Sequence, residues 1–255
     1  MASCYRMSSA GVDFIINHLL KYSFSHCTST CICSTYKHYF HLQTSIISYN
    51  FTIENGGAIN NNWGELTITK STLTENTAKI NGGAINNNGE LTITESTLQQ
   101  NTAGYGGAIN NTEGELTITE STLTENTAKI NGGAINNWGE LTITKSTLTE
   151  NTAQKDGGAI RNSSGELTLK QETKMLEEEL AIRNSSGELT ITESTLTEIL
   201  QKLRKKRFRS GELTITESRL TGNTTHMHGG AIHNLDEKSF KIKDCKLDNN
   251  IPNNY

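Results

Sequence analysis

Carboxylates are the groups with the most obvious capacity for chemistry in this sequence, with 27 Asp and Glu against 23 Lys and Arg in 255 residues and a net charge of −4. A pair a few ångströms apart can act as acid and base on a glycosidic bond, and Asp ligands beside a basic residue can hold calcium for lyase chemistry. Only Asp13, Asp156, Asp236, Asp244 and Asp248 are aspartates. The glutamates mostly keep fixed places: Glu65, Glu90, Glu115, Glu140, Glu166, Glu188 and Glu212 each stand between a glycine and a leucine. A catalytic group breaks a repeat, whereas a group present in every copy is a building element. The residues that do break it, such as Arg161 after Ile160 and His233 after Ile232, assemble into no evident triad. The chain therefore reads as a non-enzyme. The alternative is a polysaccharide lyase or hydrolase, which a carboxylate cluster in a groove would reveal.

Three other groupings invite chemistry. Cys27, Cys31 and Cys33 lie near His26, His38 and His41, but no CxxC pair exists and the ligand spacing of structural zinc sites is missing. The calcium pattern Gly-Gly-x-Gly-x-Asp is also absent, so neither a metal nor a cofactor is implied. Lys202 to Arg209 holds six basic residues that no glycine-rich or interleaved aromatic pattern organises. It reads as a solvated run, and with the acidic balance this excludes nucleic acid as a partner. The threonines are the third grouping. Thr67 and Thr69, Thr92 and Thr94, Thr117 and Thr119, and Thr142 and Thr144 recur as Thr-x-Thr pairs. Their hydroxyls both donate and accept, which suits sugar hydroxyls or ordered water. These eight are the expected ligand contacts, for glycan or protein. Ice binding is a further alternative, since Thr-x-Thr ranks look like those of ice-binding proteins.

The spacing of these residues comes from a repeat. Gly-Glu-Leu begins at Gly64, Gly89, Gly114, Gly139, Gly165, Gly187 and Gly211, at intervals of 25, 25, 25, 26, 22 and 24. Gly-Gly-Ala-Ile occurs six times, and Ser-Thr-Leu-Thr-Glu-Asn at 71–76, 121–126 and 146–151. Within a unit, Leu66-Thr67-Ile68-Thr69 alternates with period two, which is strand and not helix patterning. One unit predicts three short strands, Gly-Ala-Ile, Leu-Thr-Ile-Thr and Thr-Leu-Thr, too small to bury an apolar face alone. Stacking units in parallel about 4.8 Å apart solves this. The expected fold is all-β: a right-handed parallel β-helix (solenoid) of about eight coils of about 25 residues, with Ile59, Leu66, Ile68 and Leu73 inward. Asn61, Asn76 and their equivalents are expected at corners, bonding to the Asn one coil away or adopting a left-handed conformation. No apolar run approaches the roughly 20 residues of a transmembrane helix.

Gly-Gly-Ala-Ile followed by a short strand and an (aromatic or Leu)-x-x-Asn element resembles the polymorphic outer membrane protein repeat. That repeat occurs in chlamydial surface autotransporters and in adhesin-like β-helix proteins of bacteria and methanogenic archaea. The resemblance covers about 55–250, with Leu in the usual Phe place at Leu73 to Asn76, Leu123 to Asn126, Leu148 to Asn151 and Leu220 to Asn223. It implies a right-handed β-helix exposed at a cell surface or secreted and used for adhesion, although no C-terminal barrel or anchor is recognisable.

Residues 1–50 do not share the repeat and read as an irregular segment or cap, 51–250 as the β-helix and 251–255 as a tail. The apolar stretch from Phe14 to Leu20 is interrupted by polar residues, unlike a secretory signal. Two coils are degenerate. After Leu169 the pattern becomes Lys170 to Leu180, and after Glu198 the expected Asn-Thr-Ala becomes Ile199-Leu200-Gln201. Glu-Asn-Thr-Ala written GAA AAT ACT GCA reads Glu-Ile-Leu-Gln once one A is lost, and GGA GGA GGA read one base over gives the run Glu177 to Glu179, so the expectation is that paired insertions and deletions scrambled both stretches. These coils are expected to be the weak points, and a decayed gene copy without present function is a further reading.

Overall fold

A computed structural model describes residues 32–34, 39–176, 182–185, 187–197, 200–201, 213–221, 224–225 and 240–248. Every strand pair in it is parallel, and each strand's neighbours lie one coil before and one coil after it in the chain. The fold is thus a parallel β-solenoid.

A coil contributes to four sheets. The first sheet has seven strands, represented by Ile59–Asn61 and Ile135–Asn137. The second has nine, represented by Glu65–Thr69 and Glu90–Thr94, and so does the third, represented by Thr72–Thr74 and Thr97–Gln99. The fourth has five, including Thr77–Ala78 and Thr152–Ala153. Register is strict: Leu91 pairs with Leu66 and Leu116, and Ile93 with Ile68 and Ile118. Ile59, Leu66, Ile68 and Leu73 are inward and nearly inaccessible, as their alternation requires, and their columns form one continuous core. Eight steps of about 4.8 Å make the nine-stranded sheets about 38 Å long.

Three expectations need correction. The first strand of a unit is Ile-Asn-Asn, because the two glycines and alanine before it form the bend. At Gly56 the backbone is left-handed (φ 67°), while a Cβ at Gly57 would lie 2.0 Å from the Gly83 carbonyl oxygen. The first glycine makes the turn and the second lets adjacent coils approach. A fourth strand, Thr-Ala, adds Ala78 and Ala103 to the buried set. The ladder also starts before position 51: Ile32–Ser34, Tyr39–Gln43 and Ile46–Ser48 pair in register with the first repeat. They lack the repeat's glycines yet keep inward Leu42 and Ile47, which is what the ladder demands.

The degenerate coils keep more structure than their sequence promises. Lys174–Leu176 pairs with Thr147–Thr149, placing fully buried Met175 in the leucine column beside Leu148. The turn before it takes one extra residue, with both Gln171 and Glu172 at positive φ. Leu200–Gln201 pairs with Thr224–Thr225. Glu177 to Glu179, Lys202 to Arg209, Phe14 to Leu20 and the 251–255 tail lie outside the described residues.

Buried polar ladders stitch the coils together. Asn76 donates from its backbone N–H and its Nδ2 to Asn101 Oδ1, both at 3.0 Å, and the pattern repeats from Asn50 to Asn151. A second stack joins Asn61, Asn87, Asn111, Asn137, Asn162 and Asn184, each Nδ2 donating 2.8 Å to the next Oδ1. The asparagines are not the left-handed residues. In the Asn76 stack that conformation falls on the residue just before, as at Glu75, Gln100, Glu125 and Glu150. Serine supplies a third stack at the other corner. Ser96 N–H donates to Ser121 Oγ at 3.0 Å, and Ser121 Oγ–H donates to Thr119 O at 2.7 Å.

Candidate functional site

The second sheet carries the Thr-x-Thr pairs, and its inward Leu and Ile force the alternate residues outward. Thr67, Thr92, Thr117 and Thr142 align in register as one rank, and Thr69, Thr94, Thr119 and Thr144 as another. Hydroxyl positions repeat about 4.8 Å along the rod and about 7 Å across it. Thr92 is exposed, and Thr67, Thr69, Thr94, Thr117, Thr119 and Thr142 are half-buried between their neighbours. Thr144 is 9% exposed, where the next member of its rank is the longer Lys170.

The face is longer than the four coils named from sequence. Thr168, Thr190 and Thr214 continue the first rank, so seven successive rungs carry threonine there. Thr192 and Thr216 continue the second rank beyond Lys170. The signal was present in Leu167 to Leu169, Leu189 to Thr192 and Leu213 to Thr216, but the degenerate stretches between them set those coils apart from the four undamaged ones. Outward threonines also line the third sheet, where Thr72, Thr97, Thr122 and Thr147 align.

Charge frames the face unequally. On one side Glu65, Glu90, Glu115 and Glu140 form an exposed column in register. Unit charges about 5 Å apart in water repel by roughly 0.8 kcal/mol per pair, less after screening, so the column stands without a cation. On the other side the corner residues carry both signs: Lys70 lies 3.6 Å from Glu95, and Lys145 3.4 Å from Glu120. At the N-terminal end Tyr39, His41 and Gln43 take the places of Glu65, Thr67 and Thr69. His41 Nε2 reaches Thr69 Oγ1 at 3.2 Å, so the threonine ranks begin against an imidazole.

Of the possible metal ligands, Cys33 and His41 stand in separate sheets, and Cys27, Cys31, His26 and His38 lie outside the described residues. Among the described residues no group of three or more His, Cys, Asp and Glu is placed to hold a metal ion. No helix there is long and apolar enough to cross a membrane. Arg161 lies in the first sheet with its guanidinium over the Trp138 ring, while His233 is outside the described residues.

This architecture defines a class, the parallel β-solenoid with polar ladders at its corners. Residues 145–163 match the model of the Chlamydia polymorphic membrane protein repeat. The matched stretch runs from the leucine strand Thr147–Thr149 through Asn151 and the Gly157-Gly158 bend to Ile160–Asn162. It therefore contains the two elements that carry the sequence resemblance, Leu148 to Asn151 and Gly-Gly-Ala-Ile. No curated protein and no solved structure matches the chain.

Proposed function

We propose that this chain is a non-enzymatic, adhesin-like repeat protein, exposed at a cell surface or secreted, that binds glycans or proteins through its ladder faces. The observation that carries this reading is the in-register threonine rank of the second sheet, seven rungs long. Equivalent weak contacts along such a rank add by multivalency, so a solenoid needs no deep pocket to gain avidity. The match to the Chlamydia polymorphic membrane protein repeat supports placement at the cell surface.

Replacing Thr92, Thr94, Thr117 and Thr119 by Lys alters two adjacent rungs in the middle of the face. These side chains point outward, so far-UV circular dichroism and the melting temperature should change little. Binding to cells and to glycan arrays should drop at least tenfold. Undiminished binding by a folded variant would remove the threonine face as the site.

A further inference from the structure

A second polar grouping lies in the first sheet, where the repeat changes character. In coils one to four the outward residue of the Ile-Asn-Asn strand is asparagine, and each after the first donates backwards. Asn86 Nδ2 reaches Asn60 Oδ1 at 2.9 Å, Asn110 reaches Asn86 at 2.9 Å, and Asn136 reaches Asn110 at 2.8 Å. The next two members of the column are Arg161 and Arg183. Asn136 is 2% exposed and its Oδ1 has no partner, since the coil that should donate to it holds an arginine.

Arg161 does not close that gap. Its guanidinium lies 5.4 Å from the centre of the Trp138 ring, its Nη1 donates to Ser163 Oγ, and its Nε–H is buried without a partner. One rung on, Arg183 Nη1 is 3.2 Å from Asp156 Oδ1. Asp156 follows Asn131 in the neighbouring column, and Asn131, 9% exposed, also has an unpartnered Oδ1. Two guanidiniums thus stand one rung apart in a partly buried setting, and Asp156, paired with Arg183, is the carboxylate whose charge reaches both. Burial lowers the Arg161 pKa, and of the nearby charges Asp156 raises it while Arg183 lowers it. Arginine stays protonated regardless, so the cluster holds an excess positive charge.

We propose that Trp138, Arg161, Arg183 and Asp156 form a binding site for a carboxylate-bearing saccharide. Each feature selects part of that ligand. The excess charge calls for an anion, and turning the Arg161 fork presents Nε–H and an Nη–H side by side to a carboxylate. The acceptor oxygens of Asn131 and Asn136, one rung from Asp156 and Arg161 and without partners, need donors. Sugar hydroxyls supply them, and inorganic phosphate near neutral pH supplies few. Trp138, 48% exposed, offers an indole face for the C–H side of a pyranose ring. This site is separate from the threonine face and stands or falls independently of it.

The test uses the full chain with Trp63→Phe, which leaves Trp138 as the one fluorescent indole. The probes are a hyaluronan tetrasaccharide, 3′-sialyllactose, lactose and sodium phosphate. The proposal expects saturable fluorescence change and calorimetric heat with one or both acidic sugars. The first alone identifies a uronate and the second alone a sialate, while lactose gives none and phosphate binds at least tenfold more weakly. Arg161→Lys keeps the charge but loses the fork, and should weaken binding at least fivefold. Arg183→Gln should weaken it at least tenfold. The threonine-to-lysine variant of the second sheet should bind these sugars as the parent does. Failure of folded protein to bind either acidic sugar overturns the proposal. So does phosphate binding as tightly as the sugars, or affinity unchanged in both arginine variants.

Discussion

Asn126 makes four buried bonds at once: its Oδ1 accepts the backbone N–H and Nδ2 of Asn101, and its Nδ2 donates to Leu98 O and Asn151 Oδ1. Truncation to alanine strands Asn101 N–H in a dry interior, where one unsatisfied group costs about 1–3 kcal/mol. Asn126→Ala should therefore lose about 3 kcal/mol in urea unfolding, more than an ordinary surface asparagine. The serine column ends on a chemical exception. Cys245 stands where the repeats have serine, and its Sγ reaches Lys243 O and Ile215 O at 3.3 and 3.4 Å. A thiol is a weak donor, so Cys245→Ser should raise stability by about 0.5–1 kcal/mol, read as a higher melting temperature. The corner asparagines were legible in the sequence because they recur beside the leucine strands. Which residue adopts the left-handed backbone was not, since Glu75 and Glu120 carry no conformational signature and the ladder geometry alone imposes φ near 50° on them.

Coil spacing is set by glycine as much as by strand pairing. A Cβ on Gly133 would lie 1.9 Å from the Gly158 oxygen and 2.6 Å from Thr152 N, both backbone atoms that cannot step aside. Gly133→Ala should cost about 3 kcal/mol or more and slow or abolish refolding, while leaving the outer coils helically stacked. Hydrogen exchange of the amides in Glu115–Thr119 and Glu140–Thr144, compared with the parent, would show whether the opening is local. The long strands were readable because Leu-Thr-Ile-Thr alternates over enough residues. The Thr-Ala strand was not, because two residues carry no period. The degenerate coils were hard to read for a different reason. Their sequence keeps no repeat identity after Leu169, yet the neighbouring rung accepts an apolar residue that reaches the column, and Met175 does.

At the scale of the molecule, the two candidate sites had different legibility. The threonine ranks follow from the repeat itself, so eight of their members are legible in the sequence alone, and the register of the stack continues them through Thr168, Thr190, Thr192, Thr214 and Thr216. The arginine–tryptophan cluster draws Trp138, Asp156, Arg161 and Arg183 from three successive coils, which one sequence period separates and the stacking reunites. The ladders that reunite them also settle how the rod bears a pull. Their hydrogen bonds, backbone and side chain alike, lie along the rod axis, so tension between the two ends falls on the terminal rung first and peels it like a zip. Each coil so released frees about 25 residues, about 80 Å of slack once the lost rung is subtracted. A single molecule stretched by its ends should therefore lengthen in a run of near-equal steps at modest force. A tethered rod of this kind would give ground under shear one coil at a time, and re-form when the strain is relieved.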